Sequence, residues 1–420
     1  MKKSRLFLSV AFFMAAMSFV AITMTSCNQD DDDDDGTTVA GSYSQTSGNN
    51  TVTKVSYTSS TSDVNAVKVS GGTFSMTDCT IEKTGGDTED SDGSSFYGTN
   101  AAILASSSGS ITMDGGTITT EATGSNGIVA YGGTVTVSDV TINCSKNLSR
   151  GIHATGGGTI TASNLTITTA GNNSSVIALD KGGGTVTVDG GTYTTIGGDC
   201  AVLYSTGNLT VNNITGSSSQ GEIGVIEGDN YIIINNCEIT SGAGESSRGM
   251  MILQSGSGDA GTGINGVITV TGGSLTMTGE STPFIEIVTN VNGEVTLDNV
   301  ETTIPSGILM KVDYNTRWTT FGATGTLILS GDGRSYDGSI VLDSYSSADL
   351  TVNSGVTWNG AYDNSNEGLS SVLAIDGGTW NLTGDSYVDD ITLTNDAVIN
   401  KNGYELTYTN LTNTSGTIND

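Results

Sequence analysis

One acidic segment carries the densest group of chemically capable side chains in the sequence. It runs from Thr84 to Gly98 and contains Asp87, Glu89, Asp90, Asp92, Phe96 and Tyr97. Carboxylates at such spacings are typical of calcium loops, but the glutamate that closes a helix–loop–helix calcium site is missing. The segment therefore predicts either a Ca²⁺ loop or a polar recognition loop, whose binding residues would be Asp87, Asp90, Asp92, Phe96 and Tyr97.

Two arginines could bind an acidic sugar. Arg150 and Arg248 begin equivalent stretches of an internal repeat, three units apart by our alignment. Stacked strands lie about 4.8 Å apart, so the two would be separated by about 14 Å, too far to act on one sugar. Polysaccharide lyases need a base and cations at a uronate, and glycosidases need two carboxylates. We keep both arginines as binding candidates, with solvated surface charge as the alternative.

Two aspartates are weak metal candidates. Asp180 and Asp229 share one predicted column of the repeat. Calcium takes six to eight oxygen ligands, and this pair supplies few of them. The alternative is again ordinary surface charge.

The single histidine stands in an otherwise aliphatic column. His153 aligns with Leu104, Val129, Ile177, Leu203, Ile226 and Met251. Because no second histidine or nearby cysteine accompanies it, it is a poor metal or triad candidate. The sequence leaves open whether the column faces the core or the solvent. An outward column would form an apolar stripe of the kind that marks a partner surface.

A place in the core is an alternative to ligand binding for two tryptophans, and it is the predicted role of four cysteines. Trp358 and Trp380 could stack on sugar rings, or they could cap a core. The cysteines other than Cys27 lie at mostly unmatched positions of the repeat, so they are predicted to be small buried apolar residues rather than disulfides or a metal site: Cys79, Cys144, Cys200 and Cys237.

Composition excludes several classes of protein. The 420 residues include 44 Asp and Glu against 14 Lys and Arg, a formal charge of −30. Such a chain repels phosphate backbones, so nucleic acid is not an expected partner. The sequence has 59 glycines and is rich in Thr, Ser and Asn, which disfavours a helical bundle.

The N-terminus reads as an export signal. Lys2, Lys3 and Arg5 precede an apolar run from Leu6 to Met24 that is long enough to be a signal anchor. The small residues that lead to Cys27 resemble a bacterial lipoprotein signal, which implies cleavage after residue 26 and acylation of Cys27. Two or more acyl chains give stable membrane attachment. Removing the leader's three cations would take the charge from −30 to −33.

An acidic run follows the cysteine. Asp30–Asp35 resembles the surface-export signal of Bacteroidetes-type lipoproteins, which implies an outer-membrane protein displayed on the cell surface. A solvated, self-repelling tether is a compatible interpretation. Residues 27–50 are therefore predicted to form a flexible stalk.

An internal repeat of about 24 residues dominates the rest of the chain. Each unit contains two apolar residues at spacing two, then a turn position that holds only Gly, Asn or Asp: Asp78, Gly115, Asp139, Asn164, Gly190, Asn213, Asn236, Gly272 and Asn299. These residue types tolerate a left-handed backbone, so one positive-φ corner per unit is predicted. Alternation such as Ile111-Thr112-Met113 predicts strands with one buried face.

These features predict the fold. Three short strands per unit, each paired with its counterpart in the next unit, indicate an all-β, three-sided parallel β-helix solenoid. Regular coils are expected over residues 51–310, and C-terminal coils with a cap over residues 311–420.

The C-terminal coils carry a resemblance. The unit from Gly378-Thr379-Trp380 to Val388, with Ile391-Thr392-Leu393, resembles the last coils of autotransporter-type adhesin passengers. With the array before it, the chain resembles β-helical bacterial surface adhesins of pectin-lyase-like architecture. The resemblance implies a right-handed helix and a non-catalytic adhesin that binds a glycan or protein. The alternative is a calcium-dependent polysaccharide-binding or pectate-lyase-like protein, so Ca²⁺ is the only cofactor considered.

Overall fold

Parallel strands stacked coil upon coil make up most of the chain. The computed structural model describes residues 38–242, 247–256, 259–314 and 321–420. The strands of the first part are β1 (Thr38–Ala40), β2 (Tyr43–Gln45), β3 (Asn49–Thr53), β4 (Val55–Ser59), β5 (Val67–Lys83), β6 (Ile103–Thr120), β7 (Ile128–Tyr131), β8 (Thr134–Ser138), β9 (Thr141–Cys144), β10 (Ile152–Thr155), β11 (Gly158–Thr169), β12 (Ile177–Leu179), β13 (Gly184–Thr195), β14 (Leu203–Ser205), β15 (Asn208–Asn212), β16 (Thr215–Ser218), β17 (Gly224–Glu227), β18 (Tyr231–Asn235) and β19 (Glu238–Ser241).

The same pattern continues to the C-terminus. The later strands are β20 (Met250–Leu253), β21 (Asn265–Thr271), β22 (Ser274–Met277), β23 (Ile285–Val288), β24 (Asn292–Asp298), β25 (Glu301–Thr303), β26 (Ile308–Asp313), β27 (Thr324–Ser330), β28 (Ser335–Asp337), β29 (Ser339–Leu342), β30 (Ser347–Val352), β31 (Thr357–Gly360), β32 (Ser370–Asp376), β33 (Thr379–Leu382), β34 (Ser386–Thr394), β35 (Val398–Asn400), β36 (Leu406–Asn413) and β37 (Thr417–Asn419). The helix α1 (Ser91–Tyr97) lies in the acidic segment.

Each coil adds strands to ladders in which every neighbour is parallel. The N-terminal part of β11 pairs with β8 on one side and with β13 on the other, and its C-terminal part pairs with β9 and β13. A further ladder joins β7, β10, β12, β14, β17, β20, β23 and β26. The chain is therefore a parallel β-helix, and this part of the sequence prediction is confirmed.

Left-handed corners recur at the predicted positions. All nine predicted residues have φ between 51° and 69°. Ser163 pairs with Asp189 and Leu165 with Gly191, so Asn164 stands directly beside Gly190 in the stack. A Cβ at Gly190 would lie 2.6 Å from Asn164 Oδ1, which shows how closely successive corners approach. The periodic Gly, Asn and Asp positions thus mark aligned turns of the solenoid.

The apolar column of each strand fills one continuous core. It extends from Tyr57 to Ile399 and is built from inward-facing residues such as Ile111, Val135 and Ile160. A single coil could not bury these side chains, whereas stacking removes them from water on both sides. Between these core positions, Thr136 and Thr161 are exposed, as strand alternation requires.

The strands begin inside the predicted stalk. β1 pairs with β4, and β2 and β3 pair with β5, so residues 38–50 of the predicted 27–50 segment belong to the first coils. The leader, Cys27 and Asp30–Asp35 lie outside the described residues. Within the described part of the chain, no helix has the length and apolar character needed to cross a bilayer.

Candidate functional site

The outer face of the ladder that runs from β6 to β26, called the first ladder here, carries the candidate site. Its register places Leu104, Val129, His153, Ala178, Tyr204, Val225, Met251, Glu286 and Lys311 in one column. The predicted members Ile177, Leu203 and Ile226 are wrong, because they point to the other face. Both faces of these strands carry apolar residues, so hydrophobic alternation does not fix their register.

The column faces away from the core, and parts of it are covered by the chain itself. Leu104 and Val129 pack with Ala101 in a cluster separate from the main core. The C-cap of α1 lies over them, because a Cβ at Gly98 would be 2.7 Å from Val129 Cγ1 and 2.8 Å from Leu104 Cδ1. The apolar stripe that the sequence left open is therefore outward but buried at this end.

Beyond Val129, polar side chains lie in the column and beside it. We call Arg150, His153, Asp180, Tyr204 and Glu227 the Arg150 cluster. The Arg150 guanidinium donates to Asp180 Oδ2 at 3.1 Å, and to Ser95 Oγ at 3.3 Å. The side chains of Arg150 and Asp180 are only 12% and 7% exposed, so this ion pair is largely removed from water.

A second chain of hydrogen bonds holds the glutamate. Tyr204 Oη donates to Glu227 Oε1 at 3.0 Å, and Ser255 Oγ donates to Glu227 Oε2 at 2.6 Å. Tyr204 and Glu227 are both partly exposed. Both oxygens of this carboxyl group are thus oriented by neighbours, which fixes its position on a rigid strand.

Burial is the largest cause of the pKa shifts of Asp180, Tyr204 and Glu227. Burial raises the pKa of Asp180, although the Arg150 guanidinium acts in the opposite direction. Burial also raises the pKa of Glu227 and, together with the Glu227 charge, holds the pKa of Tyr204 well above its usual range. Ionisable groups with perturbed pKa values that lie close together are characteristic of functional sites.

Two polar side chains at the cluster are buried without a partner. His153 is fully buried, neither ring nitrogen has a hydrogen bond, and its Nε2 is 4.0 Å from Asp180 Oδ2. Burial, and then the Arg150 charge, lower its pKa well below the ordinary value, so the imidazole is neutral. The hydroxyl of Thr206, a residue only 3% exposed, also lacks a partner. Buried groups without partners are uncommon and call for an explanation.

Two open depressions lie at opposite ends of β12 and β14. The first has a volume of about 190 Å³ and precedes the strands; it is lined by Arg150, Asn173, Ser175, Asp199 and Tyr204. The second has a volume of about 310 Å³ and follows them; its lining includes Gly182–Gly184, Thr206–Asn208, Asn230 and Asp259–Gly261. We call these the Arg150 depression and the Asp259 depression. Arg150 and Tyr204 of the cluster line the first depression, and Thr206 of the second stands beside Glu227 of the cluster.

An ammonium group stands beside the Asp259 depression. Lys181 Nζ lies 4.7 Å from the centroid of the Phe96 ring and 3.9 Å from Asp259 Oδ1. The lysine side chain is 49% exposed. The acidic segment is held to the same place, since Thr155 Oγ1 donates to Phe96 O at 2.7 Å.

Two carboxylates of the acidic segment accept hydrogen bonds from backbone amides. Asp90 caps α1 by accepting from Gly93 N at 3.0 Å, Asp92 lies in the first helical turn, and Asp87 accepts from Thr123 N at 2.7 Å. Tyr97 is exposed and packs edge-on against Tyr131. In the parts of the chain that the structure describes, no group of three or more His, Cys, Asp or Glu is arranged to hold a metal ion.

The register corrects two predicted columns. Ser205 pairs with Ile226, so Thr206 stands beside Glu227 and not beside Asp229, which is exposed two residues further on. Arg150 and Arg248 do share a column, but the pairings place them four coils apart rather than three. Arg248 makes its own ion pair with Glu286.

The two tryptophans are not available to a ligand. Trp358 and Trp380 are fully buried, and their rings stack with centroids 5.0 Å apart. Each indole donates to a backbone carbonyl, of Gly338 and Gly360 respectively. Of the two roles that the sequence left open, burial excludes stacking on a sugar and agrees with a place in the core. The cysteines Cys79, Cys144, Cys200 and Cys237 are buried and free, as predicted.

Sequence reasoning missed the partners that complete the site. Tyr204, Glu227 and Ser255 come from later coils, and only the register brings them near Arg150 and Asp180. Lys181 follows Asp180 directly, but its contacts with Phe96 and Asp259 also depend on the stacking of the coils. Comparison with protein-family models gives no match, and comparisons with curated proteins and with solved structures give none either. The site must therefore be interpreted from its own geometry.

Proposed function

We propose that the protein is a lipid-anchored, adhesin-like lipoprotein of the outer membrane that binds a polysaccharide at the cell surface without catalysis. The observation that carries the binding proposal is the pair of open depressions at the two ends of β12 and β14, beside the Arg150 cluster. Charged groups, amides and an aromatic ring converge there on a rigid sheet, which is the composition of a carbohydrate-binding surface.

The membrane part of the proposal rests on the sequence. Small residues lead to Cys27 and six aspartates follow it, in the arrangement that resembles surface-exported lipoproteins. The test is incorporation of a labelled fatty acid, together with protease digestion of intact cells. Labelling of the parent chain and its loss in Cys27→Ser are expected. An unlabelled parent chain would contradict the anchor.

Binding is tested on a glycan array with the full chain. We expect binding that is lost in Tyr204→Leu, because this change removes the ring and the hydroxyl that orients Glu227. Thr136→Ala, on an exposed position of another ladder, is the matched control and should bind like the parent. Equal binding by all three chains would place the site elsewhere. Repeating the array with a chelator tests the calcium-dependent alternative.

Polysaccharide cleavage is the second candidate, favoured by one observation. Burial raises the pKa of both Asp180 and Glu227, which is the direction of shift that a general-acid carboxyl group needs. New reducing ends would indicate hydrolysis, and unsaturated products would indicate a lyase. Loss of product in Glu227→Gln would replace the non-catalytic proposal by an enzymatic one.

A further inference from the structure

The charges at the site favour a positive ligand. Asp180, Asp199, Glu227 and Asp259 face two cations, Arg150 and Lys181, within and around the two depressions. The carboxylates also act on one another, since the charges of Asp180 and Asp259 both raise the pKa of Glu227. Negative groups that repel one another are stabilised by an added cation.

An ammonium group of the chain already contacts Asp259 at the edge of the Asp259 depression. Lys181 Nζ is placed between the Phe96 ring and the Asp259 carboxylate, at 4.7 Å and 3.9 Å. An aromatic face combined with a carboxylate is a favourable environment for an ammonium ion. The lysine side chain is half exposed, so a ligand cation can replace it without rearrangement of the core.

A buried hydroxyl without a partner points to a ligand at the same place. Thr206 lines the Asp259 depression, is 3% exposed, and its Oγ1 makes no hydrogen bond. Asn208 and Asn230 line the same depression and add amide donors and acceptors. A sugar that carries both hydroxyl and ammonium groups would match this set, whereas a uronate would meet a surplus of carboxylates.

We propose that the Asp259 depression is an ammonium-binding subsite, and that the polysaccharide of the proposed function is one with free amino groups rather than a uronate polymer. This inference rests on the proposed polysaccharide-binding function. Lys181 occupies the subsite in the free protein and gives way to the amino group of a sugar residue. Tyr204 and Arg150 contact the next part of the chain in the Arg150 depression.

Three oligosaccharides of equal length test the inference with the full chain: a glucosamine hexamer, its N-acetylated counterpart and a galacturonate hexamer. We expect the glucosamine hexamer to bind at least about tenfold more tightly than the others, the effect of one partly desolvated charge pair. Asp259→Asn should remove most of this preference. Asp396→Asn, which removes an equal charge at an exposed corner of the C-terminal coils, is the control and should preserve it.

A gain-of-binding variant guards against misfolding as an explanation. Lys181→Met empties the ammonium position and should tighten binding of the glucosamine hexamer. Weaker binding by this variant would overturn the inference, as would equal binding of the glucosamine and N-acetylated hexamers. Tightest binding of the galacturonate or the N-acetylated hexamer overturns the inference but leaves the proposed function standing. If none of the three binds, the inference fails, and the glycan array decides the proposed function separately.

Discussion

Single residues at the Arg150 cluster combine burial with charge. Arg150 and Asp180 form an ion pair that is almost fully removed from water, and His153 lies beside them as a neutral ring. Desolvation of two charges costs as much as their attraction returns, so such a pair is not a source of stability by itself. The presence of this ion pair on an outward strand face therefore agrees better with a role in ligand binding than with a role in stabilising the fold.

Removing one partner of this pair is expected to be costly. Arg150→Met should lower the free energy of unfolding by about 3–5 kcal/mol, because it leaves Asp180 buried without a counter-charge. Chemical denaturation measures the change. Arg334→Met is the matched control, since Arg334 pairs with the well exposed Glu301 and its loss should cost less than about 1 kcal/mol. Equal effects of the two changes would contradict the buried pair.

The raised pKa values predict how stability depends on pH. A carboxyl group whose pKa is higher in the folded chain binds more protons there, so ionisation favours unfolding. Asp180 and Glu227 should thus stabilise the fold most below their ordinary values of 3.8 and 4.5, and lose this contribution as pH rises through the folded-state pKa values. Melting temperatures across this range should decline less steeply in Asp180→Asn/Glu227→Gln than in the parent, and an unchanged slope would contradict the shifts.

At the scale of elements, the corners and the strand registers differ in how well the sequence specifies them. The corners were predicted at all nine positions, because a positive φ favours Gly, Asn and Asp, although Lys54, which stands beside Asp78 in the stack, also adopts one. The column of His153 was predicted one residue out of register at Ile177, Leu203 and Ile226. First-ladder strands are buried on both faces, so no alternation marks their register in the sequence.

The contacts within the site depend on the strand register, so the sequence alone does not show most of them. Arg150 and Asp180 were selected as candidates, but nothing in the sequence showed that they touch, or that Glu227 lies two coils beyond Asp180. Contacts between residues more than twenty positions apart can be predicted only when the length of each coil is known. The acidic segment was located correctly as an insertion, whereas its helix and its cover over Leu104 depend on tertiary packing.

Backbone crowding at the corners gives a test at this scale. Gly191→Ala should cost more than about 3 kcal/mol, because its φ is 99° and a Cβ would lie 2.2 Å from Leu165 O. Gly157→Ala is the matched control, with φ 79° and no atom within 4 Å of the added Cβ, and should cost about 1 kcal/mol. Thermal unfolding compares them, and a smaller loss for Gly191→Ala would contradict the stacked corner.

At the scale of the whole molecule, the pairing of the described strands links each coil only to the coils next to it. Strand β13 pairs with β11 before it and with β15 and β16 after it, and with no strand of a distant coil. Stability in such arrays is approximately a sum of coil and interface contributions. A destabilising substitution should therefore unfold its own coil and the adjacent coils before it affects distant coils.

A core change in the C-terminal coils tests this local response. Trp380→Ala removes a fully buried ring that stacks on Trp358, and should cost about 3–5 kcal/mol. Hydrogen exchange should accelerate in β31, β33 and β35 well before β8, β11 and β13. Tyr404→Ala, at an exposed aromatic residue of the same region, should leave exchange unchanged. Uniform acceleration along the chain would instead indicate one cooperative unit.

Because strands pair only with those of neighbouring coils, the number of coils can change without changing the contacts that a ligand makes. Duplication or loss of a coil before β5 would alter the number of coils between the binding surface and the proposed lipid attachment at Cys27, yet would leave the contacts of Arg150 and Asp259 untouched. Gene segments of one coil length could thus be gained or lost without penalty at the ligand. Length and recognition can therefore evolve independently in this architecture.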